Sequence, residues 1–280
     1  MTSETTETNN SSGAYNTPRA VALYNAKGGT GKTTVGVNVA GALAVQGYDV
    51  CFVDLDPQGN ATEGLGLAEA YDAEPPNLFD VVTGHEPAEV ILDIIEEHEE
   101  FDVVPSNYDM LNAERDLVIA DYQGEDALSF FADAIAVLDE EYDIVLIDSP
   151  PFFGQLTDAA LYGARHVLVP ALTESTSERA VELLLDQLED LEAERDIYVE
   201  ELGAVANRIE TTNEAERMQE WLEHAFPDVP VWGIRKRVAL QRAHTNGVSI
   251  FRHSRGCDMA DVFEEIAASI ADQLGVTTDE

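Results

Sequence analysis

Ten consecutive residues carry the densest chemistry in this chain: Asn25-Ala26-Lys27-Gly28-Gly29-Thr30-Gly31-Lys32-Thr33-Thr34. They fit the phosphate-loop pattern G-x-x-x-x-G-K-[ST], with Ala26 in the first, substituted glycine position. The chain has three lysines in all, and two of them, Lys27 and Lys32, fall here. That placement points to chemistry rather than to surface solubility. The apolar run Ala20 to Tyr24 reads as a buried parallel strand, and Val35, Val37, Val39, Ala40, Leu43 and Ala44 suit a packed helix. A glycine-rich turn between such a strand and helix aims backbone N–H groups at phosphate oxygens, at the positive end of the helix dipole. Gly28, Gly29, Thr30 and Gly31 would form that cradle, Lys32 would reach the β- and γ-phosphates, and the Thr33 hydroxyl would ligate Mg²⁺.

Three carboxylates accompany the loop. The run Tyr142-Asp143-Ile144-Val145-Leu146-Ile147-Asp148 is an apolar strand ending in an aspartate, the form of a Walker B segment. Asp148 would hold Mg²⁺ through water. The run Val53-Asp54-Leu55-Asp56-Pro57-Gln58 ends another strand with two aspartates. Period-two geometry turns both to one face while Leu55 points the other way. One of them can support the metal shell while the other orients a water for in-line attack on the γ-phosphate.

The elements that must position these groups alternate. Strand-like runs occur at Ala20–Asn25, Asp49–Asp54, Phe101–Pro105, Tyr142–Asp148, His166–Pro170 and Glu201–Asn207. Helix-like segments lie between most of them, at about 32–46, 107–119, 126–139, 155–163 and 178–195. This alternation predicts an α/β fold, a doubly wound, mostly parallel sheet flanked by helices, which binds ligands beyond the carboxyl ends of its strands. The motif residues fall at those ends. No linker interrupts the pattern, so one domain is expected over residues 19–275. Residues 1–18, rich in Thr, Ser, Asn and Glu, read as a disordered tail, and 276–280 as a short C-terminal one.

Composition narrows the class. The chain carries 55 acidic against 15 basic residues, a formal charge of −40, yet 45% of it is apolar. Apolar periodicity persists between the acids, which argues for a folded protein with a surface adapted to high salt rather than for disorder. Cys51 and Cys257 form no metal or redox pair, and a reducing cytoplasm is the expected compartment. There is no run of 18 apolar residues and no signal segment. Acidic stretches at Glu86–Asp102 and Asp186–Glu201 read as solvated faces.

With these residues in view, the chain resembles the ParA/MinD class of deviant Walker A ATPases through Lys27-Gly28-Gly29-Thr30-Gly31-Lys32-Thr33-Thr34. The ParA/Soj partitioning branch is singled out by Asp54-Leu55-Asp56-Pro57-Gln58-Gly59-Asn60, Pro105-Ser106-Asn107, Asp148-Ser149-Pro150-Pro151 and Ser254-Arg255-Gly256. The resemblance covers about residues 19–275. It implies an ATP- and Mg²⁺-dependent switch that dimerises on ATP, coats DNA without sequence preference and hydrolyses ATP slowly, in chromosome or plasmid segregation. It implies a homodimer, a ParB-like centromere-binding partner that stimulates hydrolysis, and a cytoplasmic, nucleoid-associated protein. Lys27 resembles the signature lysine that crosses to the partner subunit's nucleotide. Lys32, Thr33 and Thr34 resemble the phosphate and Mg²⁺ contacts made in cis. Asp56 resembles the residue that positions the attacking water, with Asp54 and Asp148 in the metal's outer shell. Asn207 resembles the family's adenine-contacting asparagine, or is simply a turn former at a strand end. Ala239 departs from the pattern, standing where an arginine is expected. A tail of 18 residues is too short for the DNA-reading domain of larger plasmid relatives, so specific operator binding is not expected.

Rival readings fare less well. A membrane-positioning ATPase needs a basic amphipathic terminal helix, and the last one, about Met259 to Leu274, has no lysine or arginine. Its apolar residues Val262, Phe263, Ile266, Ile270 and Leu274 suit packing on the core, so no stable membrane association is expected. An iron–sulfur carrier lacks its cysteines, and a non-hydrolysing scaffold would have lost Lys27, Lys32 or Asp56. Positioning of a different cargo, such as a membrane-associated or chemotaxis assembly, stays open.

A last feature is the window Val229–Cys257, which contains no Asp or Glu although about six are expected there at the chain's average density. It holds Arg235, Lys236, Arg237, Arg242, Arg252 and Arg255, six of the fifteen basic residues. These read either as a phosphate-contacting DNA strip or as partners for acids elsewhere in the fold.

Overall fold

A computed structural model describes residues 17–278. The chain forms an eight-stranded sheet in the order β3-β4-β2-β5-β1-β6-β7-β8, all parallel except for β3 on β4. The strands are β1 (Ala20–Leu23), β2 (Val50–Asp54), β3 (Glu96–Glu97), β4 (Asp102–Val104), β5 (Ile144–Asp148), β6 (His166–Leu172), β7 (Glu200–Ile209) and β8 (Val231–Arg235). The helices are α1 (Lys32–Val45), α2 (Asn60–Gly64), α3 (Ala68–Tyr71), α4 (Leu78–Val82), α5 (Ala113–Tyr122), α6 (Ala127–Glu141), α7 (Gln155–Ala164), α8 (Thr176–Arg195), α9 (Asn213–Ala225), α10 (Val238–Thr245), α11 (Ile250–Ser254) and α12 (Asp258–Gln273).

Both faces of the sheet are covered, so the central strands are apolar throughout rather than alternating with polar residues. Period two still assigns each side chain to a layer. Ala20, Ala22, Cys51, Val53, Val145 and Ile147 pack with Phe131, Leu128 and Leu156 beneath α4 to α9. Val21, Leu23, Val50, Phe52, Ile144 and Leu146 pack on the opposite side with Val35, Val39, Leu43, Phe263 and Ile266. The last helix, α12, buries Phe263, Ile266 and Ile270 and lies against α1, so its apolar face is used internally. No described helix is long and apolar enough to cross a membrane.

The six expected strands and five expected helices are all present, with small differences. The segment expected as one helix over 107–119 is a 3₁₀ turn, Tyr108–Asn112, followed by α5. Asn107 causes the break: its side chain accepts from Asp109 N–H and starts a tight turn before the α-helix. The N-terminal tail falls outside the described residues apart from Thr17 and Pro18. Packing continues past residue 275, because Val276 is buried and donates its N–H to Ala271 at 2.9 Å.

Candidate nucleotide and metal site

Strand order brings the motifs together. β5 lies between β1 and β2, with Leu23 opposite Asp148 and Asp54 opposite Asp148 in register. The glycine loop and two strand-end aspartates therefore share one stretch of the sheet's carboxyl edge.

Asn25, fully buried, organises the loop. Its Nδ2 donates to the Pro170 carbonyl at 2.9 Å, its Oδ1 accepts the Lys27 N–H at 2.9 Å, and its carbonyl accepts Lys32 Nζ at 3.0 Å. Burial pulls the Lys32 ammonium below the usual lysine range, against the opposing attraction of Asp148 and Asp56. The turn into α1 is made at Gly31, whose φ of 87° is left-handed. A Cβ there would also stand 2.2 Å from Asn207 Nδ2. Gly31→Ala is thus expected to weaken nucleotide binding about ten- to a hundredfold, from roughly 1–3 kcal/mol of backbone strain. Titration with a fluorescent nucleotide checks this, with circular dichroism unchanged.

The metal side is built from oxygen donors. Thr33 Oγ1 donates to Asp148 Oδ2 at 2.5 Å. Burial pushes both Asp54 and Asp148 above the usual carboxylate range, and for Asp54 the neighbouring Asp148 charge adds to it. Asp54 Oδ1 and Asp148 Oδ1 are each buried without a hydrogen-bond partner. Two orphaned carboxylate oxygens beside a threonine hydroxyl suit a hard cation that keeps most of its waters, as Mg²⁺ does. Among the described residues no group of three or more His, Cys, Asp or Glu could hold an ion alone. Phosphate oxygens and water would have to complete the shell.

Asp56, 7% exposed, accepts the Gln58 N–H at 3.0 Å. Lys27 is turned away from the loop: its Nζ reaches Glu174 Oε2 at 3.2 Å, Thr176 Oγ1 at 2.6 Å and Ser177 Oγ at 3.3 Å, at the start of α8. Asn207 Nδ2 donates to the Thr30 carbonyl at 2.8 Å, so it buttresses the phosphate loop from β7. Arg208 beside it has a left-handed backbone, φ 55°. A cavity of about 400 Å³ opens here, lined by Thr34, Asn207, Arg208, Arg235, Lys236 and Arg237 together with the α10 face.

The basic window meets acids that lie outside it, some just beyond its end and some far along the chain. Arg235 and Arg237 pair with Asp258, Lys236 with Glu210, Arg252 with Glu99 and Arg255 with Glu264. Arg242 alone of the six makes no ion pair among the described residues. The acid-free window is therefore not an acid-free surface. Exposed single-contact pairs of this kind contribute about 0–1 kcal/mol each, and Arg237, which grips Asp258 through two nitrogens, is the firmest of them.

Pairing of this window with acids was one of its two sequence readings, but the sequence names neither those acids nor the partners of Lys27. Sequence reasoning also missed Arg208 and a pair of buried hydroxyls behind Asp54 and Asp56. Of the two, Ser106 lies inside the motif run Pro105-Ser106-Asn107, whereas no motif marks Thr62.

A strand, a glycine loop opening a helix, and strand-end aspartates in this register define a P-loop nucleotide-binding ATPase. A family model described as an AAA domain matches residues 18–200. The chromosome-partitioning ATPase Soj of Thermus thermophilus is 33% identical over 254 residues, covering 90% of this chain and 95% of its own. Among solved structures, an aspartate-to-alanine variant of McdA from Cyanothece in complex with ATP superposes with a TM-score of 0.77 at 20% identity, over 93% of this chain and 98% of that one. Cobyrinic acid a,c-diamide synthase of Mycobacterium smegmatis with a bound ATP analogue and magnesium has a TM-score of 0.70 at 26% identity, over 90% and 93%. The chain belongs to the ParA/Soj family of deviant Walker A ATPases.

Proposed function

We propose that this chain is an ATP- and Mg²⁺-dependent dimerising switch that binds DNA without sequence preference and acts in chromosome or plasmid segregation. One observation carries the reading. The phosphate loop, Thr33 on Asp148, and Asp54 opposite Asp148 converge on a single stretch of the sheet edge. ATP phosphates would lie against the N–H groups of Gly28, Gly29, Thr30 and Gly31, with Lys32 on the β- and γ-oxygens and Thr34 beside them. Thr33, and through water Asp54 and Asp148, would hold the Mg²⁺, which supplies neutralisation of phosphate charge. Asp56 would orient the attacking water, and Lys27 would act on the partner subunit's nucleotide. The cavity beside Asn207 is of a size for the adenosine moiety, and Asn207 would contact the base. ATP turnover and ATP-dependent dimerisation, measured together at high salt, test the reading.

The kinship with a chromosome-partitioning ATPase supports the cargo assignment. A ParB-like centromere-binding protein would accelerate hydrolysis, and a nucleoid-associated place in the cytoplasm follows. DNA would be gripped by the strip Arg235, Lys236, Arg237, Arg242, Arg252 and Arg255, doubled by the dimer so that avidity offsets repulsion by a −40 chain. Because Arg235, Lys236 and Arg237 also rim the nucleotide cavity, the cleaner test uses the other three. Replacing Arg242, Arg252 and Arg255 with alanine should weaken ATP-dependent DNA binding equally for unrelated sequences. The log–log salt slope should flatten by about 0.9 for each lost phosphate contact. Dimerisation should survive. An unchanged affinity and slope would remove these three from the mechanism.

A further inference from the structure

Two hydroxyl residues stand behind the strand-end aspartates: Thr62 in α2 and Ser106 after β4, both fully buried. Thr62 N and Thr62 Oγ1 each donate to Asp54 Oδ2, both at 2.7 Å. The hydroxyl's one proton is committed there, so Thr62 Oγ1 can only accept from Ser106 N, which lies at 2.8 Å. Ser106 Oγ in turn donates to the Asp56 carbonyl at 2.7 Å. The donors diverge from Ser106: its N–H leads through the Thr62 hydroxyl to the carboxylate on the metal side, and its own hydroxyl leads to the backbone of the water-positioning aspartate.

The consequence falls on the two oxygens of Asp54. The terminal torsion of an aspartate is broad and roughly two-fold, so packing alone fixes it poorly. Here one oxygen holds two donors while Oδ1 is buried without a partner. Nothing in the phosphate loop contributes to that asymmetry.

We propose that Thr62 is a positioning residue for the metal. It clamps Asp54 Oδ2 from behind so that Oδ1 stays free for a metal-bound water, and through Ser106 it keeps that carboxylate in register with Asp56. This rests on the Mg²⁺–ATP reading of the site. The alternative is a threonine that only satisfies buried polar groups, and the two differ in what Mg²⁺ does.

The test is binding of a fluorescent ATP analogue to the full chain at high salt, first in EDTA and then as Mg²⁺ is added. Thr62→Val keeps the shape and removes the hydroxyl. Its affinity in EDTA should match the wild type, whereas the Mg²⁺ concentration giving half of the metal effect should rise about 10- to 100-fold, the usual loss for such supporting contacts. Thr62→Ser should restore the wild-type value. A valine variant with unaltered Mg²⁺ dependence, or valine and serine variants shifted alike, would overturn the proposal. Should Thr62→Val not fold, Thr62→Ala carries the same expectations without any clash. A wild-type chain that bound no nucleotide in either condition would overturn the reading of the site itself, and this proposal with it.

Discussion

Asp56→Ala is expected to bind ATP, lose turnover by about 10²–10⁴-fold and accumulate as an ATP-loaded dimer. Asp56 lies two residues beyond the metal-side carboxylate Asp54, and its hydrogen bonds are confined to its own turn and to Ser106. Removing its carboxylate leaves Asn25, Lys32 and the glycine cradle intact. Binding and the chemical step should therefore separate. Lys32→Ala provides the contrast, since Lys32 is buried on the Asn25 carbonyl and its loss should abolish tight nucleotide binding. Size-exclusion chromatography with light scattering at high salt, alongside phosphate release, reads both variants. An Asp56→Ala protein that stays monomeric at saturating ATP would sink the switch reading.

Lys27→Ala should reduce hydrolysis by about 10³–10⁵-fold, the range for a cation supplied in trans to a transferring phosphoryl group. ATP binding by the monomer should be largely spared. In a single chain Lys27 already has Glu174, Thr176 and Ser177 as partners, so it must give these up to cross an interface. Mixing Lys27→Ala with Asp56→Ala subunits distinguishes the two geometries. A heterodimer would contain one site with its own Asp56 and the partner's Lys27, and turnover should partly return. Absence of rescue across mixing ratios, with heterodimers demonstrated, would confine Lys27 to a role within its own subunit.

The fold was legible where periodicity and strand-end chemistry coincide. β1, β2 and β5 are short apolar runs, β2 and β5 each closed by a motif aspartate and β1 followed directly by the phosphate loop. The edges were not legible. β3 is two glutamates, and β8 is a short apolar run broken by Gly233 and preceded by Pro230, both of which argue against a strand. Within the site, loop and carboxylates could be read because each has a spacing rule. Thr62 has none: its role depends on α2 folding back over β2, which no local pattern announces. For the basic window, pairing with acids elsewhere in the fold is what five of its six cations do, and only the folded chain identifies Asp258, Glu210, Glu99 and Glu264 as the partners.

The brevity of β3 bears on how copies of this chain could assemble into filaments. Strand addition needs an open margin several residues long with unpaired amides, and apolar side chains strengthen it. This margin is two residues, both exposed carboxylates, running antiparallel to the rest of the sheet. A second copy aligned there would meet like charge and almost no ladder. Assembly through this margin is therefore disfavoured, and strand addition would have to use the other one, the five-residue β8.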